Sequence, residues 1–440
     1  MQLRTLTAWL DHQQRIHPRA IALGLDRVGE VWRRLGAPAP APVVITIGGT
    51  NGKGSTVAFL EAMLAAQDKR VGAFTSPHLL RYNERVRVAG RDVDDATLID
   101  AFERIEAARG VDSVEPVPLT YFEYNTLAAL WIFAHSALDV ALLEVGLGGR
   151  LDAVNLIDAD VAIVTTVDLD HQDWLGNDRD SIGREKAGIF RTGRPAIVGE
   201  TDPPRTLLEA ARQVGADLRR AGRDYACMRD AGSWRWTSGD LELQLPLPQL
   251  AAPCQLDNAS AAIAALHALH ARIGWNVQAI RAGVVNARIG ARLQRFGGDP
   301  ELIVDVAHNP QAARSLAEWL RATPCAGRTL AVFGALGDKD VRGVAAALAG
   351  SIDAWYPAAL DQDSPRGLDA MALREAITPA LGADALAEDS ANVPAALERA
   401  FAQARKGDRV LAFGSFFVAA AALEFAQARR LTTIQHDARV

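Results

Sequence analysis

Cysteine is nearly absent. Cys227, Cys254 and Cys325 are the only three, widely spaced and without a CxxC pair. That excludes a disulfide framework and a structural zinc site, and it fits a reducing cytoplasm. No uninterrupted apolar run reaches the length of a membrane span. Residues 261–268 are apolar but broken by His267, and they read as a buried helix. The opening MQLRTLTAWLDHQQ carries charges throughout and has no apolar h-region, so no signal peptide is expected. Basic charge is not in excess. The formal net charge is −6, which argues against a general affinity for nucleic acid. No short-period repeat and no low-complexity segment is visible. What remains is the composition of an ordinary globular chain, 23% charged and 49% hydrophobic, and 440 residues suffice for two or three domains.

The most informative stretch is VVITIGGTNGKGST at residues 43–56. Its β-branched start reads as a buried strand. Thr50, Asn51, Gly52, Lys53, Gly54 and Ser55 follow as a glycine-rich turn. An amphipathic helix is expected after it, with Val57, Leu60, Met63 and Leu64 at helical spacing. Strand, glycine turn and helix form the setting of a phosphate loop. Glycines let backbone N–H groups converge on phosphate oxygens, and the helix N-terminus and Lys53 add positive charge. The loop is a variant: Gly54 separates Lys53 from Ser55, and Ile47 stands where the common pattern has its first glycine.

Further strands are expected near residues 71–74, 140–145 and 161–167. They open into Thr75-Ser76-Pro77-His78, into Glu144 and the turn 146–150, and into Asp168-Leu169-Asp170-His171. Ser76, Glu144 and His171 thus fall at carboxyl ends of strands, the edge where doubly wound sheets bind ligands. Asp94 or Asp95 is expected to cap a helix, residues 120–135 and a segment from Ser181 through Lys186 to be helical, and residues 234–247 to form a hairpin. Gly297-Gly298-Asp299-Pro300 reads as a domain boundary, giving domains 1–296 and 297–440. Beyond it, βα alternation predicts a parallel sheet covered by helices. The expected class is α/β: an N-terminal P-loop domain with a mostly parallel sheet, and a C-terminal Rossmann-like parallel α/β domain.

The loop GTNGKGS resembles that of the Mur-ligase superfamily in its folylpolyglutamate synthase branch. TSPHL at 75–79, LTYFEY at 119–124, LEVGLGGRLDA at 143–153, LDHQDWLG at 169–176, GREKAGI at 183–189 and DVAHNP at 305–310 resemble the same branch, in its bacterial bifunctional form. The resemblance spans nearly the whole chain. It implies ATP and magnesium, with two ions expected, and metal ligands Ser76, Glu144, His171 and Lys186. Lys186 is implied to be carbamylated, which converts a cation into an anion; the plain reading of a helical lysine is a solvated charge. A nucleotide clamp between domains is implied at Asn258, Arg292 and Asp305, and a catalytic set at Lys53, Lys186 and His308. Two departures are visible. Ile289-Gly290-Ala291 precede Arg292 where the family has proline and glycine, and CQLDNAS alters the usual spacing before the asparagine. A pterin pocket is implied at Ala20, Ile21, Ala22 and Leu23, at Thr120, Tyr121, Phe122 and Glu123, and at Leu151, Asp152 and Ala153. Tyr121 and Phe122 read equally well as core residues.

The activity so implied is an ATP-dependent amide ligase in the cytoplasm. It adds L-glutamate to dihydropteroate and to reduced folates through an acyl phosphate, as a monomer, without nucleic-acid or membrane partners. Rival readings are another Mur-superfamily amino-acid ligase, such as a cell-wall ligase, a P-loop kinase or regulatory NTPase, and a pure folate-binding module. Only about forty residues precede the phosphate loop, short for the extra domain a sugar-nucleotide substrate needs. An idle phosphate loop disfavours the binding module.

Overall fold

The computed structural model describes residues 4–19, 21–110 and 115–434. The chain divides into two compact units. One runs up to Leu247 and takes in Leu256–Ala287; the other holds Pro248–Gln255 and the chain from Arg288 onward.

The first unit is built on eight strands: β1 (Val43–Gly48), β2 (Val71–Phe74), β3 (Val86–Val88), β4 (Arg91–Asp92), β5 (Val140–Glu144), β6 (Val161–Val164), β7 (Pro195–Val198) and β8 (Asp217–Arg220). Their order is β4-β3-β2-β5-β1-β6-β7-β8. From β2 to β8 the neighbours run parallel, and β3 and β4 close one edge as an antiparallel hairpin. Burial of every residue of β1 and β5 explains their apolar, β-branched composition. Because β1 lies between β5 and β6, the turns after these three strands emerge side by side at one sheet edge.

The helix Lys53–Ala65 departs from the amphipathic expectation: Val57, Ala58, Phe59, Leu60, Met63 and Leu64 are all buried. One side packs on the sheet and another receives the helix Val277–Asn286. A Cβ on Gly283 of that second helix would stand 2.5 Å from Met63 Cα, so only glycine permits the approach. A three-stranded antiparallel sheet, β9 (Ala226–Asp230), β10 (Ser233–Ser238) and β11 (Leu241–Pro246), extends the expected hairpin by one strand. Trp234 and Trp236 alternate onto its buried face.

The second unit contains β12 (Gln294–Phe296), β13 (Glu301–Val304), β14 (Thr329–Phe333), β15 (Ala354–Pro357), β16 (Arg409–Phe413) and β17 (Thr433–Ile434), ordered β15-β14-β16-β13-β12-β17. β15, β14, β16 and β13 are parallel, as the βα alternation predicts. β12 is antiparallel to both β13 and β17. This corrects the expected boundary. Gly297–Pro300 is the turn of the β12–β13 hairpin inside the second unit, and the division falls earlier, between Ala287 and Arg288. Among the described residues no helix is long and apolar enough to cross a membrane.

Candidate active site

The phosphate loop is held by the turn that follows β6. Thr165 Oγ1 donates to Asn51 O at 2.6 Å, and Asn51 N–H donates to Thr166 Oγ1 at 3.1 Å. Thr50 N–H donates to Thr166 O at 2.7 Å. Thr50 Oγ1 also donates to Asp168 O, and Asp168 N–H donates back to Thr50 Oγ1, both at 3.0 Å. Gly49 and Gly52 take φ of +141° and +90°, conformations open to glycine. Each is also pressed: a Cβ on Gly49 would meet Thr165 Oγ1 at 1.9 Å, and one on Gly52 would meet Asn258 Oδ1 at 2.3 Å. Asn258 therefore lies against the loop. Lys53 Nζ donates to Gly49 O at 3.1 Å and Thr50 O at 3.2 Å, and no carboxylate neutralises it among the described residues. An ammonium held by backbone carbonyls beside a glycine cradle suits a phosphate.

The carboxyl ends of β2 and β5 bring Ser76 and Glu144 together. Ser76 N–H donates to Glu144 Oε2 at 3.2 Å, and Glu144 is only 4% exposed. His171 opens the short helix Gln172–Leu175 in the left-handed region, φ +52°, and its N–H donates to Asp170 Oδ1 at 2.9 Å. Among the described residues no group of three or more His, Cys, Asp or Glu side chains forms a metal shell. The expected donors are of mixed type: one hydroxyl, one buried carboxylate, one imidazole and a modified lysine. Hydroxyl and carboxylate oxygens suit a hard cation such as magnesium, and an imidazole is tolerable among them.

Lys186 is not a solvated charge. It is 4% exposed on the helix Arg179–Ala187. Burial, with the nearby Lys53 ammonium, pushes its amine down to about 7, although Asp170 and Asp152 act in the opposite sense. Glycine makes room around it, since a Cβ on Gly149 would stand 2.9 Å from Lys186 O.

The three segments assigned to a pterin pocket come together. Gly24 N–H donates to Leu151 O at 3.2 Å. Arg27 Nη2 bridges Ala22 O at 2.6 Å and Glu123 Oε1 at 2.8 Å. The Phe122 ring covers Gly146, where a Cβ would meet it at 2.5 Å, and lies 5.9 Å from Phe74. Ile21 and Leu23 are half-buried, Ala153 is buried, and Ala20 lies outside the described residues. Some of these side chains have structural duties. Thr120 and Glu123 form a capping box: Glu123 Oε2 accepts from Thr120 N–H at 2.7 Å, and Thr120 Oγ1 accepts from Glu123 N–H at 3.2 Å. Asp152 accepts from Leu147 N–H at 2.8 Å and Val154 N–H at 3.0 Å, folding the turn 146–152. Burial pushes its carboxyl up to about 6.

In the second unit, Asp305 follows β13 and accepts from Leu293 N–H at 2.8 Å and Ala307 N–H at 2.7 Å. Burial raises its carboxyl pKa, against the pull of Arg292. The Arg292 guanidinium lies 5.5 Å over the Phe416 ring, and the His308 ring is 6.3 Å from the same ring. Arg292, Asp305 and His308 thus form one cluster despite the altered residues before Arg292.

Sequence reasoning passed over Thr165, Thr166, Arg27, Glu200 and Arg179. Glu200 Oε1 accepts from Val167 N–H at 3.0 Å, while Arg179 Nε donates to Val167 O at 2.8 Å and its Nη2 to Glu200 Oε2 at 3.1 Å. Both backbone groups of Val167 are thereby clamped, four residues before His171. The two threonines directly after a buried strand were a readable signal. The arginines and Glu200 had none, because their partners are distant in sequence.

The Mur ligase middle domain matches residues 47–266, and the Mur ligase glutamate ligase domain matches 291–416. A dihydrofolate synthase/folylpolyglutamate synthase of Escherichia coli K12 is 46% identical over 427 residues, 97% of this chain and 96% of that protein. The Mycobacterium tuberculosis protein of the same name is 33% identical, over 82% of this chain and 78% of its own. The solved structure of E. coli FolC with DHPP and ADP superposes with a TM-score of 0.89 at 45% identity, covering 97% of this chain and 99% of that one. A Yersinia pestis enzyme with AMPPNP and a Mn ion gives 0.87 at 43% identity, covering 97% and 98%. With its phosphate loop, its two Mur-type domains and these near full-length relatives, the chain belongs to the Mur ligases, in the dihydrofolate synthase/folylpolyglutamate synthase family.

Proposed function

We propose that the protein is an ATP-dependent amide ligase joining L-glutamate to dihydropteroate, and to reduced folates and their polyglutamates. The observation that carries this reading is the Lys53 ammonium, held by backbone carbonyls of the glycine loop, with no carboxylate ion pair among the described residues, and close enough to the buried Lys186 to depress its amine. Relatives support the ligand classes: one is bound to DHPP and ADP, another to Mn, AMPPNP and L-glutamate.

The chemistry needs no covalent nucleophile from the protein. The acceptor carboxylate attacks the γ-phosphorus of ATP, giving an acyl phosphate and ADP. The glutamate amine then attacks the acyl carbon, and phosphate leaves. The N–H groups of residues 50–55 cradle the phosphates, Lys53 offsets charge on the transferring group, and Asn258 packs beside them. Arg292, Asp305 and His308 are the nucleotide and catalytic groups of the second unit. His308 Nδ1 donates to Val306 O at 2.8 Å, which directs the neutral ring's lone pair to Nε2. Ser76, Glu144, His171 and a carbamylated Lys186 would hold magnesium, two ions in all, which supplies positive charge on the phosphate oxygens. Lys186 suits carbamylation because its amine is substantially neutral near pH 7, the form that attacks carbon dioxide. Residues 20–23, 120–123 and 151–153 would seat the pterin, Phe122 by stacking. Three free cysteines and small-molecule substrates fit work in the cytoplasm.

The test is ADP release by purified protein with glutamate and either dihydropteroate or tetrahydrofolate, with mass analysis of the product. Both acceptors are expected to give the amide, and Lys53→Ala to abolish both reactions. ADP release independent of the acceptor, or a phosphorylated acceptor as end product, overturns the reading.

A further inference from the structure

Arg85 is a buried residue whose guanidinium makes no carboxylate ion pair among the described residues. It is 8% exposed, at the end of the turn Tyr82–Arg85. Its Nε donates to His78 Nδ1 at 2.9 Å, and its guanidinium lies 5.7 Å from the Tyr82 ring and 5.6 Å from the Tyr121 ring. Neither Nη1 nor Nη2 has a hydrogen-bond acceptor among the described residues. The adjacent acid, Glu84, is occupied elsewhere: its oxygens accept from the N–H groups of Leu79, Leu80 and Arg81 at 2.7–2.8 Å. Arg87, two residues on, shows the ordinary solution, pairing with Glu61 at 2.9 Å. Two aromatic faces and one imidazole replace a carboxylate only in part, and the Nη groups keep some access to solvent.

The position of Arg85 indicates what completes it. Its carbonyl accepts from Thr75 N–H at 2.9 Å, so its backbone is tied to the strand end that delivers Ser76, whose N–H contacts Glu144. Its side chain lies against Tyr121, next to Phe122 in the stretch assigned to the pterin. A flat acceptor seated along residues 120–123, as proposed above, would run beside Tyr121 and so beside this side chain. We propose that Arg85 is a carboxylate receptor, and that it holds the acceptor's carboxylate through its Nη1 and Nη2 groups. This inference rests on the ligase reading above. Lysine at this position offers one charge without the planar fork, so it replaces arginine only in part.

The experiment compares the wild type with Arg85→Met and Arg85→Lys. Steady-state rates are measured while dihydropteroate, glutamate and ATP are varied in turn. Binding of dihydropteroate and of its decarboxylated analogue is measured by titration calorimetry. Arg85→Met is expected to lower kcat/KM for dihydropteroate ten- to a hundredfold with the KM for ATP unchanged, and Arg85→Lys to recover part of the loss. The wild type is expected to bind the acid at least tenfold more tightly than the analogue, and Arg85→Met to bind the two alike. Equal binding of acid and analogue by the wild type overturns the proposal, and that measurement needs no variant to fold. A rise confined to the KM for glutamate also overturns it, by moving the receptor to the other substrate's carboxylates. Failure of the ligase reading itself looks different: the wild type then releases no ADP in response to the acceptor.

Discussion

Thr50 and Asp168 exchange two hydrogen bonds: the Thr50 hydroxyl donates to the Asp168 carbonyl and accepts from its N–H, both at 3.0 Å. One residue belongs to the phosphate loop and the other begins the turn that carries His171. The phosphate loop and the turn that carries His171, the metal ligand proposed above, are therefore parts of one hydrogen-bonded piece. Thr50→Val keeps the shape and removes the hydroxyl, and with it both hydrogen bonds to the Asp168 backbone. A loss of roughly 1–3 kcal/mol is expected. It appears as a rise in the KM for ATP and in the magnesium concentration for half-maximal rate, together. A variant that shifts one and leaves the other unchanged shows that the two loops are not coupled.

Lys186 offers a test in carbon dioxide. Its amine titrates near 7 because of burial and the Lys53 charge, so at pH 8 the neutral form predominates. Enzyme in 13C-bicarbonate is expected to show one slow-exchanging carbamate resonance that Lys186→Gln lacks. Activity is expected to fall several-fold in carbon dioxide-depleted buffer and return with bicarbonate. Full activity after depletion, with no resonance, removes the modification from the mechanism.

Glu123 separates a pocket from a fold. Sequence motifs assign it to the pterin, yet its oxygens are engaged by Thr120 N–H and Arg27, and it is 3% exposed. Glu123→Gln weakens the ion pair and alters the cap, for a stability loss of about 1–3 kcal/mol. Both ligase reactions are expected to decline together with the melting temperature. Phe122→Ala, which strips the ring from Gly146, is expected to reduce dihydropteroate use more than extension of folates. Measuring both rates and the melting temperature of each variant decides between these roles.

Glu200 gives a pH dependence. Burial outweighs the Arg179 guanidinium and pushes its carboxyl up from 4.5 to about 7. The folded state thus binds a proton more tightly than the unfolded state. The contribution of this group is fully present below pH 4.5 and is lost as pH rises through 7. In Glu200→Gln this part of the decline between pH 5 and 8 is expected to vanish, read by denaturant midpoints across that range. An unchanged slope shows that Glu200 is ionised throughout, paired with Arg179.

Local chemistry was legible from the residues alone. A β-branched run followed by glycines and Lys53 specifies a phosphate loop, because strand burial, positive φ and helix onset each leave a mark within a few residues. Asp94, one of the two expected caps, likewise occupies the helix N-cap that its side chain favours. The βα rhythm after Leu302 announced a parallel sheet. Burial and pairing at long range left no such mark. Lys186 reads as a solvated helix residue, and only the fold leaves it 4% exposed. Gly297–Pro300 reads as a linker because a hairpin turn and a domain boundary use the same residues. Arg179 and Glu200 sit 21 residues apart and act on one peptide unit, Val167, that only the sheet brings to them. Arg85 and Arg87 are indistinguishable as letters in a strand-like segment. The fold turns one toward Glu61 and the other between two tyrosines. Sequence sets which groups are available, whereas their charge state and partners follow from which of them are removed from water together.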